Sequence, residues 1–362
     1  MGIRRFLQHS ILLLIVSTSL LACSVISPGK NQSTLYWPAA PSEPRLVYEA
    51  TLRSPASLKD ANLGDRIKEL MGKQQPGSTV LMNKPYDVAA KDGLVVVSDT
   101  RMGLVHVYDV PRRRMFPIGW RGEAVLQKPL GVAVDNARNI YVADAGHQAI
   151  LVFNMLGHFK RTIGRNSGFS RLSDVVVSPS GDRVYAVDRG GIDSDNHRIT
   201  VFSQHGEMLF RIGQRGVGDG EFNHPIQAAL DKQGNLYVLD AGNFRVQVFA
   251  RDGRFLRAWG KPGKHLGNLA RPRGLAVDNQ NHVYVTDAVY QNFQIFDEYG
   301  HLLLPVGEGA REDAPGQYIL PAGIAVDETD RIYIVDQIMQ KVDVMRLLSD
   351  KERTMMAGEA QN

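Results

Sequence analysis

The chain has 362 residues, 43% of them hydrophobic, enough apolar material for one large domain or two smaller ones. Its formal charge of +4 falls to +2 once the first 22 residues are set aside, because they hold Arg4 and Arg5 and no acid and leave 40 basic residues against 38 acidic ones. So balanced a body gives no electrostatic reason for a nucleic-acid partner or an anionic membrane surface, and one cysteine excludes an intramolecular disulfide, a thiol-rich metal site and a Cys-x-x-Cys-His haem attachment.

At the N-terminus, Arg4 and Arg5 precede an apolar run, Ile11 to Leu21, broken only by Ser17, Thr18 and Ser19. The run is short for a membrane-spanning helix and has the proportions of a signal-peptide core. It ends in Leu20-Leu21-Ala22-Cys23, which resembles the lipobox of bacterial lipoproteins. That resemblance implies removal of residues 1–22, acylation of Cys23 and anchoring in the bacterial cell envelope. Several acyl chains, at about 0.8 kcal/mol per buried methylene, make a stable anchor. Ser24, with no aspartate in its place, resembles the outer-membrane sorting pattern, which leaves the periplasmic side and the cell surface both open. Residues 23–44, with Pro38, Pro41 and Pro44, read as an extended Pro-rich tether.

Arg45 to Arg53 is strand-like but belongs to no repeat, and Ser57 to Met71 reads as a short capping helix, with Ser57 as N-cap and Leu63, Ile67 and Leu70 on one face. Beyond it the chain repeats every 45 to 50 residues. Lys128-Pro-Leu-Gly-Val-Ala-Val-Asp135, Arg271-Pro-Arg-Gly-Leu-Ala-Val-Asp278 and Leu320-Pro-Ala-Gly-Ile-Ala-Val-Asp327 are each followed by a turn and an apolar strand closing on Asp144, Asp287 or Asp336. Looser copies run from Lys84 to Asp99, Arg171 to Asp188 and His224 to Asp240. Alternation of period 2, rich in Val, Ile, Tyr and Phe and punctuated by Gly, Asn and Asp, marks short antiparallel strands. Four strands per copy and six copies predict an all-β, six-bladed β-propeller over residues 45–348, since one small sheet cannot bury both faces alone. The sixth copy stops after its third strand, Lys341 to Leu348, so the N-terminal strand is expected to close the last blade. Residues 349–362 read as a disordered polar tail.

The frame Pro-x-Gly-Val-Ala-Val-Asp, Tyr-Val-Ala-Asp and Asn-x-Arg-Val-Gln-Val-Phe resembles the NHL repeat, as does Asn196-His197-Arg198-Ile199. NHL propellers include lyases, RNA-binding domains and interaction modules, so the resemblance implies a fold and leaves function to the site.

Strand order places the second-to-third hairpins and the blade-to-blade loops on one face. The strand-ending Asp99, Asp144, Asp188, Asp240, Asp287 and Asp336 should ring that face, as turn caps or as a metal or acid/base site. Before the inner strands stand Lys84, Lys128, Arg171, His224 and Arg271 (Leu320 in the sixth copy), a collar that either pairs with those aspartates or binds an anionic ligand or acidic partner. Asp87, Asp174 and Gln227 replace the repeat's glycine at the channel mouth and, with Arg273, are candidate binding residues, drift being the alternative. The loop Arg189 to Asn196 is a long insertion on the same face. NHL-type lyases gather histidines on a catalytic metal, which would cast His147, His197, His224 and His265 as ligands. No Gly-x-Ser-x-Gly, Walker loop or His-Glu-x-x-His occurs. The main expectation is therefore a lipid-anchored scaffold, without a cofactor, that binds envelope proteins or a small ligand and not nucleic acid. The alternative is a metal-dependent lyase or lactonase-like hydrolase working with zinc or calcium at the channel mouth.

Overall fold

The structure is a computed structural model and describes residues 35–39, 42–58 and 81–359. Cys23, the signal-like segment and most of the Ser57–Met71 stretch lie outside the described residues. Of that stretch, Ser57 and Leu58 end a short 3-10 turn, Pro55–Leu58, in which the Ser57 hydroxyl accepts the N–H of Arg53 and of Ser54. Among the described residues no helix is long and apolar enough to cross a membrane.

Six antiparallel sheets follow one another along the chain. Blade 1 has strands Pro85–Lys91, Leu94–Asp99, Leu104–Asp109 and Arg114–Ile118, from the inside outward. The inner strands of blades 2 to 6 are Pro129–Val134, Leu172–Val177, Pro225–Leu230, Pro272–Val277 and Pro321–Val326, and each packs against the next around the ring. β-branched and aromatic residues fill the middle strands, which are buried on both faces. The core is accordingly six wedges, one between each pair of neighbouring blades. Tyr284, Phe293 and Ile295 of blade 5 meet Ile324 and Ile332 of blade 6, for example, and Tyr333 and Val335 of blade 6 meet Val88 and Val97 of blade 1. Each wedge holds two sheets that could not bury these faces alone.

The ring closes as the mismatched ends predict. Leu46–Leu52 pairs antiparallel with Lys341–Leu347, from Leu46 opposite Leu347 to Leu52 opposite Val342, as the fourth strand of blade 6. Leu46, Val47 and Leu52 are buried there, each contributing about 1.5–3 kcal/mol when fully covered. Two boundaries differ from expectation. The tether gives way before residue 44, because Tyr36–Trp37 adds a fifth strand against Leu46 and Val47. The tail expected to be disordered holds a helix, Asp350–Glu359. Its start is a capping box: Glu352 accepts the Ser349 N–H at 2.8 Å, the Ser349 hydroxyl faces the Glu352 N–H at 3.4 Å, and Arg346 pairs with Glu352 at 2.9 Å.

Candidate functional site at the channel mouth

Register fixes the mouth face, because Pro85 lies opposite Asp99 and Pro272 opposite Asp287. Inner-strand starts and the second-to-third hairpins therefore share one end of the ring. Asp287 shows how that end is built. It accepts the N–H groups of Ala270 and Arg271 ahead of the inner strand at 2.8 and 2.9 Å, and those of Val289 and Tyr290 in the hairpin at 2.9 and 3.4 Å. Asp99, Asp144 and Asp336 bond the matching backbone groups. Asp188 and Asp240 also hold their inner-strand approaches. All six are fully buried, so this ring caps turns. Burial by itself would raise Asp99, but hydrogen bonds from His106 and from the N–H groups of Asn83, Met102 and Lys84 outweigh it and hold the carboxyl at about 2.

The carboxylates being taken by backbone N–H groups, the collar goes without them. Lys84, Lys128, Arg171 and Arg271 are exposed, and their side chains form no ion pair among the described residues. His224 is half-buried, its N–H donated to His197 Nδ1 at 3.0 Å and its ring 5.1 Å from that of His197. Burial, then His197 and the cations Arg189, Arg171 and Arg215, lower the His224 pKa. Apolar tips rise around the collar: Met102, Ile192, Val289 and Ile338 on the hairpins, Val217 and Leu266 on the blade-to-blade loops.

Inside the collar lies a depression of about 590 Å³. Lys84, Arg101, Lys128, Arg189 and Arg273 line it with Tyr86, Gln337 and Ile338, and no acidic side chain among the described residues lines it. One level deeper, at Asp87, Asp174 and Gln227, the passage shrinks to about 10 Å³, the space of about one water. Asp174 and Asp87 fill room left by glycines in neighbouring blades. A Cβ on Gly131 would stand 2.0 Å from Asp174 Oδ1, and one on Gly323 would stand 2.3 Å from Asp87 Oδ1. All three side chains bond the next blade: Asp87 accepts the Val132 N–H and Asp174 the Ala228 N–H, both at 2.9 Å, and the Gln227 amide oxygen accepts the Leu275 N–H at 2.8 Å. Gln227 Nε2 reaches across the channel to Asp87 at 2.6 Å. Burial pushes Asp87 up to about 7 against these hydrogen bonds, and burial followed by the charge of Asp87 raises Asp174 well above the carboxylate range.

The four histidines do not gather. Only His197 and His224 meet, while His147 bonds Asp144 of its own blade at 2.9 Å and His265 is exposed on a blade-to-blade loop. Among the described residues no three His, Cys, Asp or Glu side chains are grouped to hold a metal. The inward carboxylates are engaged between blades. These donors do not fit a catalytic zinc or calcium site.

Residues 126–153, 222–249 and 269–296, covering blades 2, 4 and 5 from the inner-strand approach to the third strand, match the NHL repeat. The protein is a six-bladed propeller that carries NHL repeats. Protein brain tumor of Drosophila melanogaster is 26% identical over 122 residues, which make up 33% of this chain and 11% of that protein, so the chain matches about a tenth of that relative's length. Among solved structures, a protein of unknown function from Bacteroides thetaiotaomicron is 15% identical, with a TM-score of 0.58 over 83% of this chain and 76% of that one. A gluconolactonase from Xanthomonas campestris is 18% identical (TM-score 0.54, 74% and 87% covered), and a virginiamycin B lyase from Staphylococcus aureus is 12% identical (TM-score 0.54, 76% and 99% covered). Likeness at this level carries the fold alone.

Sequence reasoning singled out Arg273 and the insertion that begins at Arg189, but missed Tyr86, Arg101 and Gln337 around them. A usable signal was present. The residue after the inner-strand proline is Tyr86, Leu130, Ile226, Arg273 or Ala322 in five of the six blades, an asymmetry next to the glycine position.

Proposed function

We propose that this NHL propeller is a binding scaffold, tethered to the bacterial envelope through Cys23, and that its mouth face docks a protein partner. One observation carries the reading: four exposed collar cations without carboxylates stand among exposed apolar tips on the same face. Unpaired charge steers and orients a partner, and clustered apolar tips supply area to bury against it. A closed channel supports the same reading, because a passage of about 10 Å³ admits no substrate into the ring. A photo-crosslinking residue at Met102 or Ile338 is expected to trap a discrete envelope partner, whereas one at Val110 or Leu156, on the opposite face, is not. Equal trapping from both faces overturns the assignment, and stoichiometric zinc or calcium in purified protein overturns the scaffold reading in favour of a metal-dependent lyase or hydrolase. For the tether, Cys23→Ala is expected to abolish labelling by a fatty-acid analogue, and undiminished label removes the anchor from the proposal.

A further inference from the structure

The depression inside the collar is more than a charged patch, since its floor holds polar groups that the protein leaves without partners. Arg273 is the deepest of the five cations and is partly covered. Its guanidinium has five N–H donors, yet among the described residues its one hydrogen bond runs to Gln337 Oε1, at 3.3 Å. Gln337 is 95% buried, and its Nε2 donor has no partner. Tyr86 lines the same floor with no hydrogen bond to its hydroxyl among the described residues. A buried donor left unmet, as at Gln337, is costly, and the donors of Arg273 and Tyr86 beside it remain free to meet an acceptor. Arg273 and Tyr86 line a volume that Lys84, Arg101, Lys128 and Arg189 make positive and that no carboxylate among the described residues lines. Burial lowers the Arg273 pKa, Tyr86 opposes that shift, and Arg271 and Arg189 press the same way as burial, which is the strain an anion would relieve.

We propose that this depression binds a small polyanion bearing carboxylate or phosphate oxygens, with Arg273 as its anchor. A planar guanidinium fork meets such oxygens two at a time. Tyr86 adds a neutral donor, Gln337 holds Arg273 in place through its amide oxygen, the four rim cations match a ligand carrying more than one negative charge, and Leu130, Leu320 and Ile338 form an apolar wall. Some 590 Å³ suits a small molecule of this kind. The inference rests on the reading of the mouth as the functional face, but it fails separately from partner docking, which depends on the outer collar and the hairpin tips.

The test is calorimetric titration of the full chain with citrate and, separately, with inorganic phosphate, in low-salt buffer with chloride as control. Saturable binding of at least one of them at one site per chain is expected. Tighter citrate binding identifies a carboxylate ligand and tighter phosphate binding a phosphate ester. Arg273→Gln should weaken binding by about tenfold or more, with Arg273→Lys recovering part of it. Arg101→Ala, at an exposed rim position that cannot disturb the fold, should weaken it several-fold and steepen no other property. Absence of saturable binding by either anion overturns the proposal, as does equal affinity in wild type, Arg273→Gln and Arg101→Ala. Partner crosslinking that survives in Arg273→Gln while citrate binding is lost leaves docking intact and assigns the pocket to a separate ligand.

Discussion

The two faces of the ring are built from the same repeat, yet they treat charge in opposite ways. On the face away from the mouth, the turn after four of the six inner strands folds onto its own aspartate: Asp135 holds Asn139 and Tyr141, Asp231 holds Asn235, Asp278 holds His282 and Tyr284, and Asp327 holds the Arg331 N–H and Tyr333. Cations on that side find acids, as in Arg112–Asp109 at 2.8 Å, Arg251–Asp182 at 2.5 Å and Arg257–Glu298 at 3.0 Å. At the mouth the carboxylates are buried under the hairpins, bonded to backbone N–H groups and, at Asp240, to Arg245 at 2.9 Å, and the collar cations Lys84, Lys128, Arg171 and Arg271 are left in water. The channel is equally asymmetric. Its far end is a pocket of about 170 Å³ walled mostly by valine and alanine, and its mouth end carries Tyr86, Arg273 and the polar layer below them. A repeat dictates backbone capping on both faces, so the difference lies in which side chains are left over once capping is complete.

The comparison holds only while the ring is shut, and breaking the ring is the largest perturbation available. A truncation starting at Ser54 removes Leu46–Leu52 and exposes the hydrogen-bonding edge of Lys341–Leu347. It also strips the covers from the blade 5–6 wedge, where Leu46 and Trp37 pack, and from the 6–1 wedge, where Leu52 packs. Against a total stability of about 5–15 kcal/mol, loss of three buried aliphatic side chains should lower the melting temperature by about 10 °C or more, or cause aggregation. Differential scanning calorimetry checks this, and an unchanged midpoint means the ring closes without that strand. Next in size is a pair that separates the faces. Asp287→Ala orphans four part-buried N–H groups at the mouth and should cost about 3 kcal/mol or more in urea unfolding. Asp182→Ala removes only an exposed pair with Arg251 and two serine bonds on the other face, and should cost less than about 1 kcal/mol. Equal costs would mean that the mouth carboxylates are not the structural set.

Much of this was legible in the sequence because the signal was written six times. Pro-x-Gly-x-Ala-Val-Asp fixes an inner strand and its turn locally, and the unmatched Arg45 to Arg53 pointed to closure because the sixth copy lacked a strand. What escaped depends on contacts that spacing does not encode. Gln227 bonds Asp87 across 140 positions of sequence, and Asp174 fits beside Gly131 of the preceding blade, so departures from the repeat could be flagged but their joint packing could not be read. Pairing between the collar and the aspartate ring was open in the sequence, since both stand at strand ends. It fails because two N–H groups of the inner-strand approach already hold the same oxygens. The C-terminal helix was missed for a plainer reason: Ser349-Asp350-Lys351-Glu352 is a capping box, and the tail's polarity hid it.

The finest distinction between the two ends of the channel is one of protonation. Asp87 has a folded pKa of about 7 against an ordinary value of 3.8, and burial raises Asp174 in the same direction. A carboxyl with a raised folded pKa keeps its proton in the native chain after the unfolded chain has released it. Between pH 4 and pH 7 the native state therefore binds more protons, and by linkage stability falls as the pH rises through that window. Below pH 4 both states are protonated and the contribution is fully present; above about 7 Asp87 must ionise within the blades. Asp87→Asn keeps the shape, and its amide oxygen can still accept the Val132 N–H, but the titrating group is gone. The variant should therefore lose a measurable part of the pH 4–7 decline in melting temperature, a change of a few degrees across the window. Asp182→Asn, at the exposed end of a turn on the other face, has a lowered pKa caused by Ser178, Ser180 and Arg251 and should not flatten that decline. If wild type and Asp87→Asn show the same slope, the polar layer at the mouth is not where the channel holds its proton, and the contrast between its two ends reduces to shape.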